Sequence, residues 1–127
     1  MQKVPSLVGA SGHFKDEVFP LEYGKTISVG RSRGADFSLR RTRTYRAQSE
    51  PERDQDVSAR TVSSKHFEVT VYNLTSIEIK NLSRNGIQVD GEKVDVIILN
   101  DVPKKVHEIR FGADEILKLE MRVNEEL

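Results

Sequence analysis

The amino-acid sequence predicts an all-β domain in which two twisted, mostly antiparallel sheets pack face to face as a β-sandwich. Apolar and polar residues alternate along most of the 127-residue chain, which is the pattern of half-buried strands. Turn residues such as Asn, Asp and Gly interrupt these runs about every ten residues, a spacing typical of sandwiches and barrels. A single segment, at the C-terminus, also carries a pattern compatible with a helix.

Nine segments carry the strand pattern. In chain order they are 17–24, 25–31, 36–39, 65–73, 76–82, 86–91, 95–101, 107–112 and 115–123. The alternation after Lys65 predicts that Phe67, Val69 and Val71 share one face of a strand. It places His66 on the opposite face. The turns Asn85-Gly86 and Asp90-Gly91 bracket one of the shorter strands.

The C-terminal segment favours a strand over a helix. Leu117, Leu119 and Met121 share a face at a period of two, so we expect a strand to about Val123 and a frayed tail from about residue 124. The chain length predicts one domain over 1–127 with a hydrophobic core.

Composition excludes several classes of protein. The absence of Cys rules out disulfides and thiolate metal sites. No apolar run approaches the ~20 residues of a membrane helix, and the N-terminus lacks the features of a signal peptide. We therefore expect a cytoplasmic protein, or a nuclear one in a eukaryote. With 20 basic and 20 acidic residues, overall charge indicates neither a nucleic-acid nor a membrane partner.

One segment, 40–61, breaks the strand pattern. It contains almost no apolar residues, and it predicts a flexible insertion between two strands. Residues 31–46 hold six arginines and one acidic residue, whereas residues 50–56 hold four acidic residues and one arginine. Net neutrality therefore conceals a basic stretch followed by an acidic one.

Three polar clusters lie at strand ends or turns: "VGRS" at 29–32, "VSSKHF" at 62–67 and "NLSRNG" at 81–86. Because loops gather at the two ends of a sandwich, we expect all three at one end. They would bring together two guanidiniums, two hydroxyls and an amide, without a carboxylate: Arg31, Ser63, Ser64, Arg84 and Asn85. Arginine forks and hydroxyl donors suit a phosphate, and an amide can contact a peptide backbone.

The order of these motifs resembles the forkhead-associated (FHA) domain family. The matching features are Gly30-Arg31, a Ser-x-x-His motif at 63–66, and a Ser-x-Asn-Gly turn at 83–86. The resemblance extends from Val18 to about Val123. It implies an eleven-stranded sandwich that binds Thr-phosphorylated proteins or peptides in Ser/Thr kinase signalling, with no catalysis, metal or cofactor. FHA domains use arginine clusters to recognise phosphorylated motifs.

The resemblance also implies roles for individual positions. Arg31 would bind the phosphate and Ser63 would donate a hydrogen bond to it. Arg84 would add a phosphate contact, Asn85 would hold the peptide backbone, and Ser64 would face the peptide. Three further residues would shape the loops: Gly30, His66 and Gly86. Departures from the family pattern are Ile87 in place of Thr, Asp90 in place of Asn, and a long gap between the first two motifs.

Other functions compete with phosphopeptide binding. Ser63 and His66 suggest a hydrolase, but three residues apart on a strand they face opposite ways, so we expect no catalysis. The basic segment 40–46, with Tyr45 available to stack on bases, suggests a nucleic-acid-binding domain, although the acidic stretch that follows argues against it. A phosphorylated 40–61 segment could also bind its own domain, with Thr44 folding back onto Arg31.

Overall fold

The computed structural model describes residues 3–73 and 75–123. Eleven strands occur in these ranges, as expected for the sandwich. They are β1 Lys3–Ser11, β2 Val18–Pro20, β3 Thr26–Gly30, β4 Phe37–Ser38, β5 Phe67–Asn73, β6 Ser76–Asn81, β7 Ile87–Val89, β8 Glu92–Val94, β9 Val96–Leu99, β10 His107–Phe111 and β11 Glu115–Val123. The helices are short: α1 Arg43–Arg46, α2 Glu50–Asp54 and α3 Val57–Arg60, with 3₁₀ turns at Gly12–Phe14 and Leu39–Arg41.

The strands form two sheets, which confirms the predicted fold class. The six-stranded sheet has the order β2-β1-β11-β10-β7-β8, and the five-stranded sheet has the order β4-β3-β5-β6-β9. All neighbours are antiparallel except β3 and β4, which run parallel. The last strand extends through Val123 as expected, while the predicted frayed tail lies outside the described residues. None of the helices in the described ranges has the length and apolar character needed to cross a bilayer.

Two strands, β1 and β8, were not among the nine predicted segments. β8 is a three-residue strand at the edge of the six-stranded sheet, whereas β1 lies inside that sheet, between β2 and β11. Pro5 interrupts its pattern because proline lacks an N–H, and Gly9 interrupts it because glycine is a poor strand former. Gly9 is required by packing: a Cβ there would lie 1.5 Å from the carbonyl oxygen of Phe14. Glycine is therefore needed at position 9 for the close contact with Phe14, although it lowers the local strand propensity.

The core lies between the sheets and contains the predicted apolar faces. Phe67 and Val69 have no exposed surface, and Val71 is 1% exposed. His66 differs from the prediction: it is fully buried, on the side of the core, with its ring 5.3 Å from that of Phe111. The reason is that β5 begins at Phe67, so the alternation of the strand does not extend to His66.

The 40–61 segment contains regular structure, which the sequence analysis did not predict. Each of its three α-helices begins with a side-chain cap: Thr42 accepts a hydrogen bond from the Tyr45 amide, Ser49 forms a capping box, and Asp56 accepts from the Ala59 amide. Such caps satisfy orphan amides and stabilise helices without apolar side chains. The low apolar content of the 40–61 segment therefore did not prevent it from forming helices. The predicted flexibility of this segment in solution stays a prediction.

Two buried polar groups join distant parts of the sandwich. Glu115 accepts hydrogen bonds from the amides of His13 and Phe14, at 3.0 and 3.1 Å. It thereby holds the first 3₁₀ turn against the start of β11. The two ring nitrogens of His107 each lie 2.6 Å from a carboxylate, Asp90 on one side and Asp101 on the other. His107 therefore links the turn after β7 to the loop after β9.

Candidate functional site

Backbone hydrogen bonds bring the three polar clusters together at one end of the sandwich. The amides of Arg31 and Ser32 donate to the carbonyls of Ser63 and Ser64, at 2.9 and 3.2 Å. The amide of Leu82 donates to the carbonyl of His66 at 2.9 Å. The loop after β3, the segment before β5 and the turn after β6 thus form one continuous unit.

Gly30 permits the close approach of the first two loops. A Cβ at this position would lie 2.2 Å from the carbonyl oxygen of Ser64, well inside van der Waals contact. Any larger residue would therefore separate the loop that carries Arg31 from the loop that carries Ser63.

His66 connects the second and third loops from inside the core. Its Nδ1 accepts a hydrogen bond from the amide of Ser63 at 3.0 Å, so the ring proton lies on Nε2, 2.9 Å from the carbonyl of Gly86. Burial lowers the pKa of His66, although the contact with Gly86 acts in the opposite direction. Because both ring nitrogens are occupied, His66 is not placed to act as a base toward the Ser63 hydroxyl.

The turn after β6 is built by Asn81 and Ser83. The Ser83 hydroxyl donates to Asn81 Oδ1 at 2.7 Å and accepts from the Gly86 amide at 2.9 Å. Gly86 has a φ of +81°, a left-handed conformation that glycine adopts without strain. Ser83 is therefore directed into the turn, and the tip carries Arg84 and Asn85 exposed to solvent.

The side chain of Asn85 is held on one side only. Its Nδ2 donates to the carbonyl of Thr61 at 3.1 Å, while Oδ1 has no donor among the residues that the structure describes. The Thr61 hydroxyl also accepts from the amide of Ala113 at 2.8 Å. Thr61 thus joins the end of the 40–61 segment to the turns after β6 and β10, a role that the sequence analysis missed.

The two arginines of the candidate site are not paired with carboxylates of the described residues. Across residues 3–73 and 75–123, no carboxylate forms an ion pair with Arg31 or Arg84. Arg31 and Ser63 are half-buried, whereas Ser64, Arg84 and Asn85 are exposed. An open cavity of about 740 Å³ adjoins Asn85. Its border includes Lys93, Asp114 and Arg110, and Arg110 pairs with Glu108 at 2.8 Å.

Arg41 also contributes to the position of the first loop, which the sequence did not reveal. Its guanidinium donates to the carbonyl of Ala35 and, at 2.9 Å, to that of Asp36. The 40–61 segment is therefore fastened to the loop that carries Arg31. Bonds of this kind are hard to predict because any backbone carbonyl can accept them.

This arrangement, an eleven-stranded sandwich with three interlocked loops at one end, is typical of small β-sandwich binding modules. The chain belongs to the FHA domain family, since the sequence model of the FHA domain matches residues 27–103. This confirms the resemblance seen in the motifs. FHA domains are binding modules, and no catalytic family matches the chain.

Solved structures of FHA domains share the fold. The FHA domain of the CT664 protein from Chlamydia trachomatis is 23% identical, with a TM-score of 0.65, over 92% of this chain and 97% of that one. An FHA domain of an Arabidopsis thaliana hypothetical protein is 21% identical, with a TM-score of 0.66, over 95% and 89%. Mycobacterium tuberculosis EmbR, solved with a low-affinity phosphopeptide, is 21% identical, with a TM-score of 0.64, over 98% and 26%. No curated protein matches the sequence.

Proposed function

We propose that this domain binds protein segments that carry a phosphothreonine, without catalysing a reaction. The main observation is that three hydrogen-bonded loops gather cationic, hydroxyl and amide groups at one end, and that Arg31 and Arg84 have no carboxylate partner among the described residues. Two comparisons support the proposal: EmbR was solved with a phosphopeptide, and another FHA structure concerns phosphothreonine-dependent interactions.

Each site residue would make the contact that suits its functional group. The Arg31 guanidinium would bind the phosphate as a fork, and the Ser63 hydroxyl would donate to a remaining oxygen. Arg84 would add a second positive charge. Asn85 Oδ1 would accept an N–H of the peptide backbone, since Nδ2 already donates to Thr61. Ser64, exposed beside them, would contact the peptide, and Gly30, His66 and Gly86 would keep the loops in place.

A direct test is calorimetry with a phosphothreonine peptide selected from an oriented library. We expect a Kd on the order of micromolar, as is typical of small transient interfaces. Arg31→Ala should abolish binding and leave the fold intact, whereas Arg31→Lys should restore it only in part because an ammonium lacks the planar fork. Arg122→Ala, at the far end of β11, is the matched control. Equal affinity for the unphosphorylated peptide would refute the proposal.

The structure sets a condition on self-binding by a phosphorylated 40–61 segment. Thr42 is buried, and the Thr44 hydroxyl donates to the carbonyl of His13 at 2.6 Å. A phosphate on Thr44 would replace that contact, so α1 would have to leave the first 3₁₀ turn before Thr44 could reach Arg31. A partner protein phosphorylated by a Ser/Thr kinase is therefore the ligand that we propose.

A further inference from the structure

The 40–61 segment and the loop after β3 enclose a cleft with an unusual lining. The cleft has a volume of about 380 Å³, and its walls are five arginines and one tyrosine: Arg33, Arg40, Arg41, Tyr45, Arg46 and Arg53. We call it the arginine cleft. In the part of the chain that the structure describes, none of the five arginines forms an ion pair with a carboxylate.

The acidic residues that follow in the sequence do not neutralise the arginine cleft. Glu52 accepts from the amide of Ser49 within the capping box. Asp56 pairs with His13 at 2.8 Å and accepts from Gln48 at 2.9 Å. The carboxylates of Glu52 and Asp56 are therefore used to build the segment. The other two acids of this stretch, Glu50 and Asp54, form no ion pair with an arginine among the described residues.

Two of the arginines are fixed by backbone carbonyls. Arg41 donates to the carbonyls of Ala35 and Asp36. Arg53 donates to the carbonyls of Tyr45 and Arg46, and its guanidinium lies 5.4 Å from the centre of the Tyr45 ring. Carbonyls orient a guanidinium without cancelling its charge. The cleft is thus a positioned set of like charges, which repel one another until an anion enters.

The other three arginines are available to a ligand. Arg33, Arg40 and Arg46 are exposed, and none of their side chains donates a hydrogen bond to another described residue. Arg33 is two residues beyond Arg31, so their Cα atoms lie at most about 7 Å apart. The arginine cleft therefore begins next to the proposed phosphothreonine site.

We propose that the arginine cleft binds a second phosphate group on the same partner segment. This inference rests on the proposed function, because the phosphothreonine at Arg31 brings the second phosphate to the cleft. A phosphate dianion can accept from several guanidinium forks at once, whereas a carboxylate has one charge and two oxygens. An extended peptide advances about 3.3 Å per residue, so the second phosphorylated residue would lie about two to four positions from the phosphothreonine.

The test is a fluorescence anisotropy titration with labelled peptides. One peptide carries a phosphothreonine alone, and a series adds a phosphoserine two, three or four positions away on either side. We expect the doubly phosphorylated peptide of one spacing to bind at least about fivefold more tightly than the singly phosphorylated one. A peptide with Glu in place of the phosphoserine should gain less than half of this factor.

The variants separate the two sites. Arg40→Gln/Arg46→Gln should abolish the gain from the second phosphate while changing the affinity for the singly phosphorylated peptide by less than about twofold. Arg122→Gln, which removes an exposed charge at the far end of β11, should keep the full gain. Circular dichroism and thermal unfolding would check that each variant folds. Arg31→Ala should abolish binding of the singly phosphorylated peptide and weaken the binding of every doubly phosphorylated one.

The outcomes that overturn the inference differ from those that overturn the proposed function. A gain that is absent at every spacing, or that persists in the double variant, would disprove the cleft assignment. An equal gain from Glu would show that the cleft recognises negative charge rather than phosphate. Tighter binding of a single-stranded oligonucleotide than of any peptide, lost in the double variant, would assign the cleft to nucleic acid. If the singly phosphorylated peptide fails to bind, the proposed function itself is wrong.

Discussion

His66 and Glu115 are two buried titratable side chains on which the loops depend, and burial shifts their pKa values in different directions. Burial lowers the pKa of His66 and raises that of Glu115, in each case because the charged form is disfavoured away from water. His66 can remain neutral while it accepts from Ser63. Glu115, in contrast, is held by backbone amides that favour a carboxylate oxygen at each contact.

The first prediction concerns stability and the protonation of His66. Its pKa in the folded state lies below the ordinary value of 6.5, so in mildly acidic solution the unfolded chain takes up a proton that the folded chain excludes. The free energy of unfolding should therefore fall as the pH decreases below about 6.5. Urea unfolding between about pH 8 and pH 5 measures this.

A His66→Asn variant is the comparison, since its amide does not titrate. It should be less stable than the wild type at pH 8, and its stability should depend less on pH in the acidic range. All other side chains are the same in the two proteins, so their contributions cancel in the difference. Parallel curves for the two proteins would contradict the role assigned to His66.

The second prediction concerns Glu115, which satisfies two buried amides. Glu115→Ala leaves both without an acceptor and should lower the free energy of unfolding by about 2–4 kcal/mol. Glu115→Gln keeps one acceptor oxygen and should lose roughly half as much. Chemical denaturation at neutral pH gives both values. An alanine variant as stable as the glutamine variant would show that the two hydrogen bonds are not what Glu115 contributes.

The site residues were predictable to different degrees. Arg31, Ser63 and Asn85 stand in a recognisable order, so the sequence indicated them, and the structure brings their loops together. Thr61 and Glu115 were not predictable, because their partners lie far away in the sequence. Thr61 contacts the Asn85 side-chain amide and the Ala113 backbone amide, 24 and 52 positions away, and Glu115 contacts two backbone amides about 100 positions away. A short polar side chain in a loop or strand gives no sign of which distant amide or carbonyl it will contact.

At the scale of the element, His107 links two loops that leave the sheets. Its ring lies between Asp90, in the turn after β7, and Asp101, in the loop after β9. Both ring nitrogens can donate only in the imidazolium form. Burial tends to raise the pKa of Asp90, but the hydrogen bonds from Glu108 and His107 outweigh it and hold this pKa below its usual value.

The third prediction follows from that lowered pKa. A carboxylate with a lowered pKa stabilises the fold at neutral pH, and the contribution disappears as the pH falls through its folded pKa, below 3.8. Asp90→Asn should therefore be less stable than the wild type at pH 7, and the difference should shrink as the pH approaches about 3. Asp54→Asn is the control for the loss of one charge, since the Asp54 carboxylate is exposed on α2 and makes no ion pair or side-chain hydrogen bond with another described residue. A stability difference between Asp90→Asn and the wild type that does not change with pH would count against the role of the Asp90–His107 contact.

Strand β1 and the helices of 40–61 could not be predicted from local sequence, each for a physical reason. β1 contains Pro5 and Gly9, and it forms because β11 pairs with it along eight positions. The helices of 40–61 have too few residues for intrinsic stability and depend on side-chain caps. In both cases tertiary contacts or single hydrogen bonds outweigh the propensities that a sequence pattern measures.

At the scale of the whole molecule, the alternation of apolar and polar residues and the positions of the turn residues were sufficient to predict the fold class. Alternating runs such as 67–71 place apolar side chains between the two sheets, and turn residues set the strand lengths. Overall charge was less informative: the sum of zero combines a binding end rich in arginine with acids that are used in caps and ion pairs. The binding end is therefore recognised by where the charges lie and not by the net charge of the chain.

The fourth prediction concerns ligand selectivity of the assembled site. The resemblance to FHA domains implies a small pocket for the threonine γ-methyl beside Asn85. Burying one methyl group contributes about 0.8 kcal/mol, roughly a fourfold difference in affinity. Matched phosphothreonine and phosphoserine peptides, compared by calorimetry at constant salt, should show this preference. Equal affinities would place the peptide differently from the arrangement proposed here.

The pairing of β1 with β11 also determines how the domain would behave under load. Lys3 lies opposite Val123, and β11 runs from the turn beside Thr61 to this point, roughly 26 Å at about 3.3 Å per residue. A tether at either end would therefore leave from the side remote from the ligand loops. Tension between two such tethers would break the β1–β11 hydrogen bonds one residue pair after another, starting at Lys3 and Val123. It would not load all of these hydrogen bonds at the same time.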